Sequence, residues 1–112
     1  MTPSLPYPSF SELRRNLNPR CSYIVLECAE ASGAENKLEA AFAALLVPDG
    51  DIAEKQLCRD NDRQRLFFVV RLIRERAEIN RERILAATLS TDFTLFFYRK
   101  SEDGGAHGVE IL

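Results

Sequence analysis

Residues 66–73, with the sequence Leu-Phe-Phe-Val-Val-Arg-Leu-Ile, contain seven apolar residues and one charge. Their β-branched and aromatic side chains favour a strand, and both alternating sets of side chains are apolar. A second stretch of this kind, residues 22–30, has the sequence Ser-Tyr-Ile-Val-Leu-Glu-Cys-Ala-Glu. A strand that is apolar on both faces is expected in the interior of a sheet, covered on each side. The two stretches therefore predict two adjacent central strands.

Patterns elsewhere in the chain predict the remaining elements. They are helices over residues 9–17 and 33–46, a polar edge strand over 52–59 that forms a hairpin with the second central strand, a strand over 93–99 and a short final strand over 109–112. Residues 74–79 fit either an extension of the preceding strand or the beginning of a helix. Asn80 is an acceptable N-cap for a helix that continues to Leu89.

The order of these elements indicates the fold class. Between residues 22 and 100 it is strand, helix, strand, strand, helix, strand. Two strand–helix–strand units that share a central hairpin resemble the ferredoxin-like plait, an antiparallel sheet with two helices on one face. We therefore predict an α+β, ferredoxin-like βαββαβ domain over residues 22–100. Residues 1–21 precede it as an arm and short helix, and residues 101–112 follow as a turn with a tail or a strand.

Two helices cover only one face of such a sheet, which leaves an apolar face without a cover. The expected side chains on that face are Tyr23, Val25, Phe67, Val69, Leu95 and Phe97, with Phe68 and Val70 as the alternative pair from their strand. A contiguous apolar patch of this size is uncommon in a monomer. Either the N-terminal arm and helix fold over the face or a second copy packs against it. We favour a homodimer. Its predicted interface consists of Tyr23, Val25, Phe67, Val69, Leu95 and Phe97.

Charge is unevenly distributed, although the net charge is only −2. Residues 27–62 contain nine acids and three bases, whereas residues 63–83 contain seven arginines and three glutamates. We expect these segments to form facing, solvated surfaces, with an anion-binding patch as the alternative. Nucleic acid is not an expected partner on this balance of charge. A single-stranded nucleic-acid binder that uses Tyr23 and the aromatic residues of an open sheet remains an alternative function.

Catalytic and metal-binding patterns are missing from the sequence. Cys21, Cys28 and Cys58 form no metal-ligand motif, and neither a signal peptide nor an apolar run of membrane-spanning length is present. We expect free thiols in a cytoplasmic setting, with Cys28 in the core. Arg59 beside Cys58 could lower the pKa of that thiol. His107 is the single histidine, which argues against a zinc site. We predict no catalytic residue, no metal, no cofactor and no membrane partner.

Glu27 and Arg71 each interrupt an apolar run on one of the two central strands. Adjacent strands could place them side by side in an interface or small pocket, or both could lie at the rim in water. We take Glu27, Arg71 and Tyr23 as candidate ligand-binding residues. The favoured function is a non-enzymatic, dimeric regulatory, ligand-sensing or scaffold module that binds a small molecule or a protein. A small dimeric enzyme with its site at the subunit interface is the alternative.

Overall fold

The computed structural model describes residues 7–18, 20–60, 62, 64–87, 89–100 and 107–111. The helices and strands are α1 (Phe10–Arg15), β1 (Tyr23–Ala29), α2 (Ala34–Ala44), β2 (Ile52–Asp60), β3 (Arg65–Leu72), α3 (Ala77–Leu85), β4 (Thr94–Lys100) and β5 (His107–Ile111). Short 3-10 turns occupy Asp49–Asp51 and Arg74–Arg76. The described chain is a mixed α+β structure built on an antiparallel sheet, as predicted.

The strand order in the sheet is β2-β3-β1-β4-β5. β1 and β3 lie side by side in its interior, with Val25 opposite Val69. Every residue from Tyr23 to Leu26 and from Leu66 to Val70 is buried. The prediction of two adjacent central strands covered on both sides is therefore confirmed. β2 lies at one edge, where its polar sequence suits contact with water.

α2 and α3 cover one face of the sheet. Leu38 and Phe42 of α2 and Ile84 of α3 pack against it, and the ring of Phe42 meets Phe68 edge-on with 5.3 Å between centroids. The sheet residues in this core are Ile24, Leu26, Cys28, Leu66, Phe68, Val70, Leu72, Leu95 and Phe97. The amphipathic spacing of α2 thus places its apolar side on the sheet.

Leu95 and Phe97 belong to this helix-covered face, and their predicted place on the opposite face is wrong. Leu95 lies opposite Leu26 of β1 in the antiparallel register, and directly opposed residues share a face. The other alternating set of β4, Phe96 and Tyr98, packs on the opposite face. Because both sets are apolar, alternation along β4 does not show which one faces the helices.

α1 covers the opposite face. The ring of Phe10 stacks on Phe67 with 4.0 Å between centroids and 4° between planes. The backbone N–H of Arg59 donates to the carbonyl oxygen of Pro8 at 3.1 Å, which ties the segment before α1 to the β2 edge. Buried with these rings are Leu17, Tyr23, Val25, Cys58, Val69 and Tyr98. The N-terminal helix is therefore the cover, which is the alternative that the sequence left open.

Four of the predicted interface residues are consequently buried within a single chain. Tyr23, Val25, Phe67 and Val69 are at most 6% exposed. The homodimer stays a prediction, but the open apolar face that motivated it is closed by α1 in the described part of the chain. The outer edge of β4 is also occupied, because β5 pairs with it.

α3 begins at Ala77 after a 3-10 turn, so residues 74–79 are helical rather than extended. Asn80 is inside α3 and fully buried, and its predicted role as N-cap is wrong. Its Nδ2 donates to Oδ2 of Asp51 at 3.0 Å, and Nε of Arg76 donates to Oδ1 of the same carboxylate at 3.0 Å. This network joins the turn before β2 to α3.

Candidate functional site

The antiparallel register separates Glu27 from Arg71. Arg71 lies opposite Tyr23 on β1, whereas Glu27 lies opposite Phe67. Tyr23 and Glu27 are four residue steps apart along β1, which is about 13 Å at the rise of an extended strand. The predicted side-by-side pair is therefore wrong, because the two residues sit at different ends of the α1-covered face.

Glu27 has a partner of its own. Nη2 of Arg65 on β3 donates to Oε1 of Glu27 at 3.0 Å, and both side chains are largely buried. Beside them, Nε of Arg59 donates to Oε2 of Glu30 at 2.8 Å. Ion pairs that link neighbouring segments in this way satisfy groups that would be costly to bury alone. Glu27 therefore belongs to a structural pair and not to a site shared with Arg71.

Arg71 and Tyr23 do share a site, a cavity of about 320 Å³ between the end of α1 and the sheet. Its lining consists of Leu13, Asn16, Leu17, Asn18, Tyr23, Glu54, Gln56, Val69 and Arg71. Apolar side chains with a few amide, hydroxyl and charged groups are typical of small-molecule pockets. The volume lies near the lower end of the range for such pockets, roughly 300–1,000 Å³. A small molecule is the occupant that fits. We call this site the α1 cavity.

Arg71 is the single cationic residue among the described residues that line the α1 cavity. Its Nη2 lies 3.3 Å from Oε2 of Glu54 on β2, and the two side chains are 38% and 60% exposed. Its Nε is buried and has no hydrogen-bond partner among the described residues. A buried donor without an acceptor costs about 1–3 kcal/mol. An oxygen supplied from the cavity would remove that cost.

Tyr23 holds the turn after α1 against the sheet. Its hydroxyl oxygen accepts a hydrogen bond of 3.0 Å from the backbone N–H of Asn18. Burial raises the pKa of Tyr23 above its ordinary value of 10.0, so the phenol stays neutral near pH 7. Tyr23 therefore both lines the α1 cavity and fixes the turn that closes one side of it.

Burial makes the thiols of Cys28 and Cys58 less reactive, because it raises the pKa of each. Cys58 is fully buried, and burial raises its pKa to about 11. Arg59 does not lower the pKa of Cys58, because consecutive side chains of β2 point to opposite faces and Arg59 pairs with Glu30. Cys28 lies in the core, as predicted, where burial also raises its pKa. All three cysteines are free thiols.

Sequence reasoning missed the residues of the turn after α1 that line the cavity. Asn16 donates through Nδ2 to the carbonyl oxygen of Glu12 at 3.0 Å, and Oδ1 of Asn18 accepts from the N–H of Arg20 at 2.9 Å. Asparagines at a helix end are expected for local hydrogen bonding alone. Asn16 and Asn18 therefore predict a turn after α1, but no sequence pattern predicts that this turn lies over Arg71.

Within the described residues, no metal-binding cluster and no membrane-spanning helix adds to the evidence on function. Among the described residues, no group of three or more histidine, cysteine or acidic side chains is placed to hold a metal ion. No helix in the described ranges has the length and apolarity needed to cross a bilayer. Comparisons of the chain with protein-family models, with curated proteins and with solved structures each gave no match.

Proposed function

We propose that this chain is a small ligand-binding module that takes a small organic carboxylate in the α1 cavity. The observation that carries the proposal is that Arg71, a residue of the cavity lining, has a buried Nε with no acceptor among the described residues. A guanidinium group offers two parallel N–H donors to a carboxylate, and such paired hydrogen bonds are stronger than neutral ones. A ligand carboxylate is the group that best satisfies this donor.

The rest of the lining limits the ligand further. Glu54, paired with Arg71 at 3.3 Å, leaves little net positive charge, so a monocarboxylate fits better than a dianion. Leu13, Leu17 and Val69 supply apolar surface. The expected ligand therefore carries one carboxylate and a short apolar chain.

Binding in the α1 cavity would act on the packing of α1. Leu13, Asn16 and Leu17 reach the cavity from α1 and its following turn, while Tyr23 and Arg71 reach it from the sheet. A ligand that contacts both sides stabilises the closed arrangement in proportion to its occupancy. This coupling supports a regulatory or ligand-sensing role over a purely structural one.

The test uses a defined set of carboxylates: butyrate, hexanoate, leucine and 4-methyl-2-oxopentanoate. Thermal unfolding followed by isothermal titration calorimetry measures which of them binds. We expect at least one to raise the melting temperature and to bind one molecule per chain. Replacing Arg71 with Gln is expected to weaken that binding about tenfold or more, since a hydrogen bond to a charged group contributes roughly 1.5–3 kcal/mol.

Lys55→Gln is the matched control. Lys55 lies on β2, the strand beside Arg71, but one residue from Glu54 and so on the other face of the sheet. The substitution removes the same unit of charge without touching the α1 cavity, and we expect the affinity to change less than about twofold. Absence of binding by all four compounds, or an equal loss in both variants, would overturn the proposal.

We also propose a ferredoxin-like plait for residues 23–100. The units β1-α2-β2 and β3-α3-β4 share the β2–β3 hairpin, and α2 and α3 pack in one core on the same face, which supports this class. α1 and β5 are additions to that arrangement. Folds of this kind carry many unrelated functions, so the proposed function rests on the cavity and not on the fold.

The alternative functions lose their main arguments. A nucleic-acid platform needs exposed aromatic rings, but Tyr23 and Phe67 are 6% and 4% exposed beneath α1. An enzyme that uses Cys58 needs a thiolate, whereas that thiol is buried with a pKa of about 11. Three free thiols support a reducing, cytoplasmic setting.

A further inference from the structure

Three arginines converge around a second cleft, of about 500 Å³, at the end of the sheet where β1 begins. Its lining is Arg20, Ser22, Arg74 and Arg99. The antiparallel sheet explains their meeting, because the beginning of β1 lies beside the ends of β3 and β4. We call this site the arginine cleft.

The arginine cleft is separate from the α1 cavity. Ser22 is next to Tyr23 in the chain, and Arg99 is next to Tyr98. Both tyrosines lie on the α1-covered face, so Ser22 and Arg99 belong to the opposite face, which α2 and α3 cover. Among the described residues, none lines both sites.

The pairing of charges singles out this cleft. Each described arginine between residues 64 and 83 has an acidic partner within 4.0 Å, except Arg74. The pairs are Arg65 with Glu27, Arg71 with Glu54, Arg76 and Arg83 with Asp51, and Arg81 with Glu78. Arg20, outside that segment, also has no ion pair among the described residues, and Arg99 lies 3.8 Å from Oε2 of Glu78. Among the described residues, none that lines the cleft is acidic.

From this arrangement we infer that the arginine cleft binds a small molecule that carries two or more linked phosphate groups. The guanidinium groups of Arg20 and Arg74 stay charged at any physiological pH, and an anion between them would offset their mutual repulsion. Their planar donors match phosphate oxygens in pairs, and the hydroxyl of Ser22 adds a further donor. Two positive charges without an acidic partner among the described residues are more than a single carboxylate neutralises.

The size of the cleft agrees with this class of ligand. About 500 Å³ is more than one phosphate group needs and is within the range of small-molecule sites. A polymer would instead be expected to follow a continuous basic groove along the surface, whereas Glu78 already faces Arg99 and Arg81 beside this cleft. The charges therefore favour a compact oligophosphate over a nucleic-acid strand.

Isothermal titration calorimetry of the full chain with inorganic tripolyphosphate tests the inference. We expect saturable binding of one molecule per chain that weakens as salt concentration rises. Arg74→Gln and Arg20→Gln are each expected to weaken it about tenfold or more. Lys37→Gln is the matched control, because Lys37 lies with Cys28 at the other end of β1 and carries the same charge. It is expected to change the affinity less than about twofold.

Three results would overturn the inference: no saturable binding, an equal loss in Lys37→Gln and Arg74→Gln, or an oligothymidylate that binds more tightly than tripolyphosphate through Arg74. Circular dichroism and thermal unfolding of each variant show that it is folded before titration. Arg71→Gln separates the two sites, since it should weaken carboxylate binding about tenfold or more and change tripolyphosphate affinity less than about threefold. If one site does not bind its ligand, the binding of the other ligand can therefore still be tested.

Discussion

A single buried carboxylate, Asp51, ties the turn before β2 to α3. The hydrogen bond that Asn80 donates lowers the pKa of Asp51 below its ordinary value of 3.8, and Arg76 adds to this effect against the opposing effect of burial. A folded-state pKa below the unfolded one means that the ionised carboxylate stabilises the fold. That contribution is fully present above about pH 4 and is lost as the pH falls through the lowered pKa.

Asp51→Asn tests this stabilisation. We expect the variant to be less stable than the parent chain at pH 7, because a neutral amide pairs less well with Arg76 and Asn80. The difference should shrink as the pH is lowered from 5 towards 2, since the parent loses the same ion by protonation. Urea unfolding at a series of pH values measures both curves.

Asp49→Asn is the control, because Asp49 is an exposed residue of the same 3-10 turn. It should leave both the stability at pH 7 and its dependence on pH nearly unchanged. Parallel curves for the parent and Asp51→Asn across this range would contradict the assignment.

At the scale of elements, α1 depends on packing for its existence. It has six residues, far fewer than the roughly 12–15 at which an isolated helix becomes marginally stable in water. Phe10 packs α1 onto the sheet through the stacked contact with Phe67. α1 is therefore the helix whose opening is expected to cost least, which fits its place at the wall of a ligand cavity.

Phe10→Ala is expected to release α1. Removing a buried phenylalanine ring costs about 3–5 kcal/mol where the surroundings stay closed, and less where the helix simply detaches. We therefore expect a loss of about 2–3 kcal/mol in unfolding free energy and faster hydrogen exchange at the Arg59 amide, which bonds to Pro8.

Ser11→Ala, at an exposed position of α1, is the comparison. It should change the unfolding free energy by less than about 0.5 kcal/mol. If Phe10→Ala changed the unfolding free energy as little as Ser11→Ala, the packing of α1 on the sheet would not contribute to stability.

At the scale of the whole molecule, the sheet is covered on both faces by parts of one chain. α2 and α3 close one face of β1 and β3, and α1 closes the other, so neither face of these two central strands is open to a second copy. A homodimer of the full chain would therefore have to form through another surface.

Deleting residues 1–17 is expected to expose Tyr23, Val25, Phe67 and Val69 and to cause association that rises with concentration. Sedimentation velocity over a range of concentrations compares this variant with the full chain. A chain that lacks only residues 1–6 keeps α1 and should sediment like the full chain. Association of all three to the same extent would show that a different surface is responsible.

The local pattern of residues was enough to predict the type of most elements and the two central strands. Residues 22–30 and 66–73 are apolar on both faces, and burial of such strands follows from composition whatever lies next to them. The pairing of Glu27 with Arg65, the face of Leu95 and the position of Asn80 could not be predicted in this way. Each depends on strand register or on contact between segments that are distant in the chain. Alternative strand registers, and alternative segments that pack on a sheet face, differ in free energy only once distant segments are in contact. The α1 cavity and the arginine cleft are therefore properties of the folded chain.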